Sequence, residues 1–353
     1  MPKMLGAHRG EGMDRNKKKL FWLVFAGLFS IMFLTLLTIS FYGYVLEKIG
    51  VDHAENIRSY DKHFVMIVGN TESQFWKDVY ASVKEEAADQ NAYVELKGTN
   101  QSSAYSMTDF MDMSIAAKVD GILLECTAEE ALEEKINEAT DQGIPVVTIL
   151  NDAPRTERKS YVGINPYQLG QEYASQIWKI LPQDRESLRI TVLLHDNAID
   201  SNQSQIFYQI NNRMVTSEET AERVKVEEIR ISSERAFESE EIVWNLFQNQ
   251  QGAPDIIVCM DEVDTEAVYQ AVIDYNRVGE TQVIGYYKSA ATLEAVRRGT
   301  MAMFLYIDTE QMGRDSMQAM MECIRDGRTN SFYSVGLQFV TSENVSYFID
   351  MDQ

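Results

Sequence analysis

The chain has 353 residues and a formal net charge of −22, too long for one small core and suited to two or three lobes. Its acidity excludes nucleic acid as a partner, because no basic excess is available to neutralise phosphates. A hydrophobic fraction of 45% and an aromatic fraction of 10% support a well-packed globular body, and the three cysteines, Cys126, Cys259 and Cys323, lie too far apart for a disulfide framework or metal cluster and read as buried apolar thiols.

From the N-terminus, residues 1–19 carry a basic cluster, Arg15, Lys17, Lys18 and Lys19, and from Leu20 to Leu46 there is no Asp, Glu, Lys or Arg. As a helix that run would measure about 40 Å, longer than the roughly 30 Å hydrocarbon core, an excess that tilt absorbs. Acidic residues follow it, Glu47, Asp52 and Glu55 beside Lys48. The positive flank belongs on the cytoplasmic side, which places the bulk of the chain outside the cell. The apolar run is longer than a cleaved signal peptide's core and lacks an A-x-A cut site, and no cysteine follows it for a lipid anchor. The expectation is a single-pass, uncleaved signal anchor in the cell membrane. "MDRNKKK" resembles an ordinary beginning for such an anchor, which would make Met13 the true start. Residues 47–62 then read as a polar stalk, with the folded domain beginning near His63.

Beyond the stalk, short apolar runs alternate with amphipathic stretches. The first series is His63–Val68, Tyr93–Leu96, Gly121–Glu125, Pro145–Ile149 and Tyr161–Ile164; the second is Ile190–Leu194, Val224–Ile229, Ile256–Met260, Val283–Tyr286 and Met301–Tyr306. Apolar strands separated by helices predict parallel sheets covered on both faces, here as two α/β lobes of similar design. After the first strand, Phe75, Trp76, Val79, Tyr80, Val83 and Ala87 recur at helical steps while Lys77, Asp78, Lys84, Glu85 and Asp89 fall opposite. Thr71 and Gln74 have capping-box spacing and Ser73 is a second capping candidate, so the helix starts near Ser73 to Phe75. That is directly past a strand's C-terminal end, where ligands bind in open α/β sheets. Gly143-Ile144-Pro145 closes one helix and opens a strand.

In order and spacing, several segments resemble the type I periplasmic-binding-protein family, in its ribose-binding and LacI-like sugar-binding branch. They are Phe75-Trp76 after the first strand, "VDGILLECTAEEAL" (Val119 to Leu132), "INEATDQGIPVVTIL" (Ile136 to Leu150), "YVGINPYQLGQEYASQI" (Tyr161 to Ile177), "DIIVCMDEVDTEAVYQAVIDYNRVG" (Asp255 to Gly279), "VIGYYKSAATLEAVRRGTMAMFLYIDTEQMG" (Val283 to Gly313) and "FVTSENV" (Phe339 to Val345). The resemblance implies two doubly wound lobes joined by a three-crossing hinge, lobe one at about 63–166 and 308–339 and lobe two at about 167–307 and 340–353. It implies a ligand held in the interlobe cleft, and no enzymatic activity.

On that resemblance the candidate ligand-binding residues are Ser73, Phe75, Trp76, Glu125, Asn151, Asp152, Asp196, Ser204, Asp261 and Tyr287. In sugar-binding members the aromatics pack on a sugar ring. Elsewhere this chain departs from the pattern. Leu150-Asn151 stands in place of the family's Asp-Arg pair, Ser204 or Gln205 in the region of its second-lobe Arg, Asp261 in place of an Asn, Tyr287 in place of an Asp and Ile307 in place of a Gln. The strand-end residues Glu72, Glu125, Asp152, Asp196 and Asp261 form an acidic inventory that would suit a cationic or amine-bearing ligand if it faced the cleft, and reads otherwise as helix caps. His195-Asp196 reads as a turn or pocket contact rather than an acid–base pair. No G-x-S-x-G, P-loop, H-E-x-x-H or C-x-x-C sequence occurs, so no catalytic residue, metal site or cofactor is expected.

The expected function is a membrane-anchored extracytoplasmic solute-binding protein, taking a small polar, sugar-like ligand for the permease of an ABC transporter by hinge closure. The alternative is a ligand-sensing module that signals to a membrane histidine kinase. A repressor role would need a DNA-binding segment where the apolar run stands.

Overall fold

The computed structural model describes residues 60–99, 104–127, 129–195, 202–231, 238–248 and 252–351, together with 22–41 apart from 24 and 39. The chain divides into two units, Met1–Ser59 and Tyr60–Gln353.

In the first unit the described residues of 22–41 are helical, and their large apolar side chains, from Trp22 to Phe41, are exposed on all sides. The hydroxyls of Thr35 and Thr38 donate to the carbonyls of Ile31 and Leu34, each at 3.0 Å, so the polar groups are satisfied within the helix. Among the described residues no helix is long and apolar enough to cross a membrane. The basic N-terminus, both ends of the expected anchor and residues 47–59 of the expected stalk lie outside the described residues.

The second unit contains two six-stranded sheets. Strands β1 (Lys62–Val68), β2 (Ala92–Gly98), β3 (Gly121–Leu124), β4 (Val146–Leu150) and β5 (Ser160–Gly163) alternate with helices α1 (Gln74–Asp89), α2 (Met107–Ala117) and α3 (Glu130–Asp141). The chain then crosses into α4 (Pro166–Ile180) and a second series: β6 (Leu188–Leu194), α5 (Asn202–Thr216), β7 (Val224–Arg230), α6 (Glu238–Gln248), β8 (Ile256–Cys259), α7 (Glu262–Asp274), β9 (Gln282–Tyr286), α8 (Ala290–Arg298) and β10 (Met303–Ile307). It returns through α9 (Thr309–Asp326) to β11 (Phe332–Ser334), crosses a third time into β12 (Leu337–Thr341), and ends in α10 (Val345–Met351).

The sheet orders are β11-β5-β4-β3-β1-β2 and β12-β10-β9-β8-β6-β7. Every pairing is parallel except β10 with β12. Helices cover both faces of each sheet, and so the central strands are continuous apolar runs: Phe64 to Val68, Ile122 to Leu124 and Ile256 to Cys259 are fully buried. One core cluster runs through both lobes and the hinge, where Tyr173 of α4 packs edge-on against Phe339 of β12 at 5.0 Å.

The structure departs from the expectations at several points. Phe332–Ser334 and Leu337–Thr341 are strands that the pattern of buried runs does not reveal, because Phe332 is 40% exposed and neither segment is a continuous buried run. Residues 337–339, expected in lobe one, pair with Tyr306, Ile307 and Leu305 and so belong to the second sheet. Ser73, rather than a Thr71–Gln74 box, caps α1. Cys126 and Cys259 are buried as expected, while Cys323 is half-buried.

Candidate functional site

The C-terminal ends of both sets of parallel strands face one another, and the two lobes touch there. On the first lobe, the turn after β1 ends at Ser73, whose hydroxyl accepts from the Trp76 amide at 3.3 Å and starts α1. This brings Phe75 and Trp76 into the first helical turn. Both are buried, at 1% and 4% exposure, but they face different neighbours. Phe75 touches Trp76 edge-on at 4.9 Å and reaches the second lobe, meeting Tyr287 at 5.0 Å and Tyr286 at 6.1 Å. Both rings belong to the core cluster that runs through the two lobes.

The lobes are shut on one another by polar bonds as well. Glu262, the first residue of α7, accepts from the Ser73 hydroxyl and, at 3.2 Å, from the Phe75 amide. The Tyr287 hydroxyl donates to Asp78 Oδ2 at 2.6 Å and lies 3.2 Å from Thr309 Oγ1. Asn202 Nδ2 donates to the Leu150 carbonyl at 3.4 Å. Leu150, the last residue of β4, and Tyr287, the residue after β9, adopt left-handed conformations, φ 64° and 59°. Such backbone is costly for side chains with a Cβ and clusters at ligand sites.

Beneath this latch is a group of acids. Glu125, just past β3, accepts from the Gly69 amide at 2.7 Å; burial pushes its carboxyl up to about 7 against that hydrogen bond, with the Asp261 charge adding to the rise. Asp261 caps α7 through the Val263 amide at 2.7 Å. Burial raises its pKa, opposed by His195 and reinforced by Asp264. Glu262 is raised by burial too, opposed by its bonds from Ser73 and Phe75. Asp264 is fully buried, its Oδ2 2.7 Å from His195 Nε2, and its Oδ1 has no partner among the described residues. His195, Asp261 and Asp264 each place one donor atom within 4.8 Å of the other two. The Tyr286 phenol is pushed well above its usual range by burial, then by Tyr173, Glu262, Asp261 and Glu125, which places it among the same groups.

The structure therefore brings Ser73, Phe75, Glu125, Asp261 and Tyr287 together, and leaves other candidates apart. Asp152 is held within the first lobe by Arg158, with Nη2 at 2.7 Å, and by the Ala153 amide at 2.7 Å. Asn151 is half-buried, its amide turned back to the Ile149 carbonyl at 2.7 Å. Ser204 is buried on α5 and accepts from Arg230 Nη2 at 3.0 Å. Asp196 lies outside the described residues. Glu72, from the acidic inventory, is exposed and pairs with Lys77. Sequence reasoning missed Glu262, Asp264, Tyr286, Tyr173 and Asp78; the readable signal was the D-E-x-D run opening α7, which sets three acids on one helix start. A concavity of about 770 Å³ lies elsewhere, lined by Asp120, Pro145 and Lys159 at the strand starts of the first lobe, and is separate from this chemistry.

Two doubly wound lobes, three crossings and a latched cleft at the strand ends define a hinged solute-binding domain. The chain belongs to the periplasmic binding protein family: the model of the periplasmic binding protein domain matches residues 64–329. A search of curated proteins gave no match. Among solved structures, it is similar to GanP, a glucose-galactose binding protein from Geobacillus stearothermophilus, at 20% identity and TM-score 0.71 over 81% of this chain and 99% of that one. It is also similar to a carbohydrate transporter solute binding protein from Agrobacterium radiobacter in complex with D-arabinose, at 18% identity and TM-score 0.73 over 82% and 98%. A third similar structure is the XylFII–LytSN complex, at 23% identity and TM-score 0.69 over 81% and 99%. At these identities the likeness is one of fold.

Proposed function

We propose that this protein is a membrane-anchored extracytoplasmic solute receptor that closes its two lobes on a small polar, sugar-like ligand and presents the closed form to an ABC transporter permease. The observation that carries the reading is the latch: Glu262 of one lobe engages Ser73 and the Phe75 amide of the other, and Tyr287 engages Asp78. These bonds form only when the lobes meet, so they favour closure and must break for a guest to enter. Phe75, Tyr286 and Tyr287 offer apolar ring faces to a sugar ring. The sugar ligands named for the similar structures support the same class. The anchor is residues 20–46, whose uncharged run carries apolar side chains on every side of the described helical part.

A second reading, a sensor that reports occupancy to a membrane kinase, is favoured by one observation: XylFII, similar over 99% of its length, is found in a complex with LytSN.

Thermal melting of the full chain in detergent, with glucose, galactose, arabinose, xylose and their amino derivatives, tests the reading. A bound sugar raises the melting temperature by mass action; no shift with any of them at millimolar concentration refutes it. For the anchor, alkaline washing of membranes should leave the protein in the pellet, and external protease should digest it in intact spheroplasts. Release by the wash, or protection from the protease, would overturn the topology.

A further inference from the structure

We propose that the cleft selects a ligand bearing a protonated amine, of the amino-sugar class, over its neutral counterpart. The inference rests on the reading of the cleft as the ligand site and names what that site prefers.

Carboxylates from both lobes converge there: Glu262 at the start of α7 accepts from Ser73 and the Phe75 amide of the first lobe, Asp261 and Asp264 lie with His195 within 4.8 Å of one another, and Glu125 just past β3 accepts from the Gly69 amide. Among the described residues, the positive group bearing on Asp261 is His195; the main influences on Glu125 and Glu262 are burial, hydrogen bonds and other acids. Arg230 at the end of β7 is engaged by Glu228 and Ser204, and Arg158 by Asp152. Under a neutral sugar these buried acids ionise only at a cost, which is why burial raises Glu125, Asp261 and Glu262. An ammonium supplies the countercharge and three donors, enough to reach an acid on each lobe.

Two further groups point to a guest independently of the acid count. Asp264 is completely buried with Oδ1 unpartnered, and Tyr173 is 1% exposed with its hydroxyl unpartnered among the described residues. Tyr173 is the first electrostatic influence on Tyr286, after burial, in the set that includes Glu262, Asp261 and Glu125. A donor from the ligand satisfies Asp264, and a ring hydroxyl satisfies Tyr173. A bare divalent ion fits less well. His195 Nε2 is already bonded to Asp264 Oδ2, and the compact trio of His195, Asp261 and Asp264 leaves Glu125 and Glu262 unneutralised.

The test is titration calorimetry at pH 7 on the full chain in detergent, with matched pairs: glucosamine against glucose, galactosamine against galactose, putrescine against butanediol. The amine of at least one pair should bind about tenfold or more tighter than its neutral partner, the size expected for one added charge-assisted hydrogen bond. The isosteric variants Glu125→Gln and Asp261→Asn, confirmed as folded by circular dichroism, should each erase most of that preference, read as the ratio of amine to neutral affinity within each variant. Neutral sugars binding as tightly as the amines would overturn this inference and leave the proposed function standing. An amine preference unchanged in both variants would place the charge elsewhere and overturn it too. Binding of Ca²⁺ or Zn²⁺ that blocks the amines and is lost in His195→Ala would make the cluster a metal site. No binding by any member of any pair would sink the proposed function along with it.

Discussion

The two lobes repeat one another in their crossing helices and in the Asp before the third strand, and differ at the edge strand, parallel in β11 and antiparallel in β12, and in the acids at the strand ends. Each sheet is entered by a crossing helix from the other lobe's last strand. In one, α4 is capped by Asn165 and packs its fifth residue, Gly170, on α5; in the other, α9 is capped by Asp308 and packs its fifth residue, Gly313, on α1. An Asp precedes the third strand of each sheet and accepts from the backbone of the first: Asp120 from the His63 amide and Asp255 from the Arg189 amide, both at 2.8 Å. The divergence that bears on a ligand is at the cleft. Past its third strand, the first lobe places one acid, Glu125, on the Gly69 amide, while the second places Asp261, Glu262 and Asp264 in a row at a helix start. What the halves share is what the topology demands of any such lobe. The asymmetric acids are demanded by neither sheet, which is why the ligand is sought there.

The largest effect expected from perturbing that asymmetry is a pH dependence. Glu125 rises from an ordinary 4.5 to about 7 in the fold. An acid raised in the folded state favours folding when protonated, so its contribution is full below pH 4.5, is lost between pH 4.5 and 7, and is absent above. At about 1.4 kcal/mol per unit, the loss amounts to roughly 3 kcal/mol. Asp261 and Glu262 shift in the same direction, opposed at Asp261 by His195. Glu125→Gln keeps an acceptor for Gly69 and cannot ionise. Urea melts should show the variant matching the parent near pH 4.5 and exceeding it by up to about 3 kcal/mol at pH 8. Equal stability at pH 8 would mean the acid is hydrated in the fold.

The paired glycines come next. A Cβ at Gly313 would collide with Ser82 Oγ and meet the Val83 amide at 2.8 Å; at Gly170 it would meet Gln209 Cβ at 2.6 Å and the Ile206 carbonyl at 2.9 Å. Alanine would gain about 1 kcal/mol in helix propensity and lose more to overpacking against backbone, so each Gly→Ala change should destabilise by about 1–3 kcal/mol. Because the two contacts are equivalent, the two losses should agree to within about 1 kcal/mol; a stabilised Gly170→Ala alone would break the equivalence of the crossing helices.

The central strands were legible in the sequence as buried runs, because a parallel sheet covered on both faces writes its burial continuously along the chain. Short, half-exposed β11 and β12 write no such run. At the cleft, Glu125 and Asp261 were legible because acids at strand ends stand out. Glu262 was not, because its role comes from Ser73 and Phe75, 189 and 187 residues away in sequence. Nor could the pattern show that Phe75 meets Tyr287 of the other lobe, or that Asp152 would be taken by Arg158, six residues on. Those outcomes depend on how loops aim side chains across space.

A smaller effect is expected at the latch. Tyr287→Phe keeps the edge-on packing with Phe75 and removes the 2.6 Å bond to Asp78. Asp78 is half-buried and can turn to water, so the cost to the closed form should be about 1–2 kcal/mol. Small-angle scattering of the variant should then show a larger mean radius of gyration than the parent without ligand, and the same radius with saturating ligand. An unchanged radius in the empty state would show that this bond does not hold the lobes together.

The smallest effect separates the two caps. Asn165 accepts from the Tyr167 and Gln168 amides at 2.9 and 3.2 Å, and Asp308 accepts from the Gln311 amide at 2.8 Å, so alanine at either site should cost about 1 kcal/mol. The caps differ in charge. Asp308 adds an anion to the positive end of a helix dipole, a gain of about 0.3–1 kcal/mol that Asn165 lacks. Exchanging them, Asn165→Asp and Asp308→Asn, should therefore stabilise α4 and destabilise α9 by a few tenths of a kcal/mol each, with both shifts shrinking as salt rises. Shifts of the same sign at the two sites, or shifts that salt leaves intact, would mean that local contacts outweigh the dipole and that the crossing helices are alike in geometry but not in electrostatics.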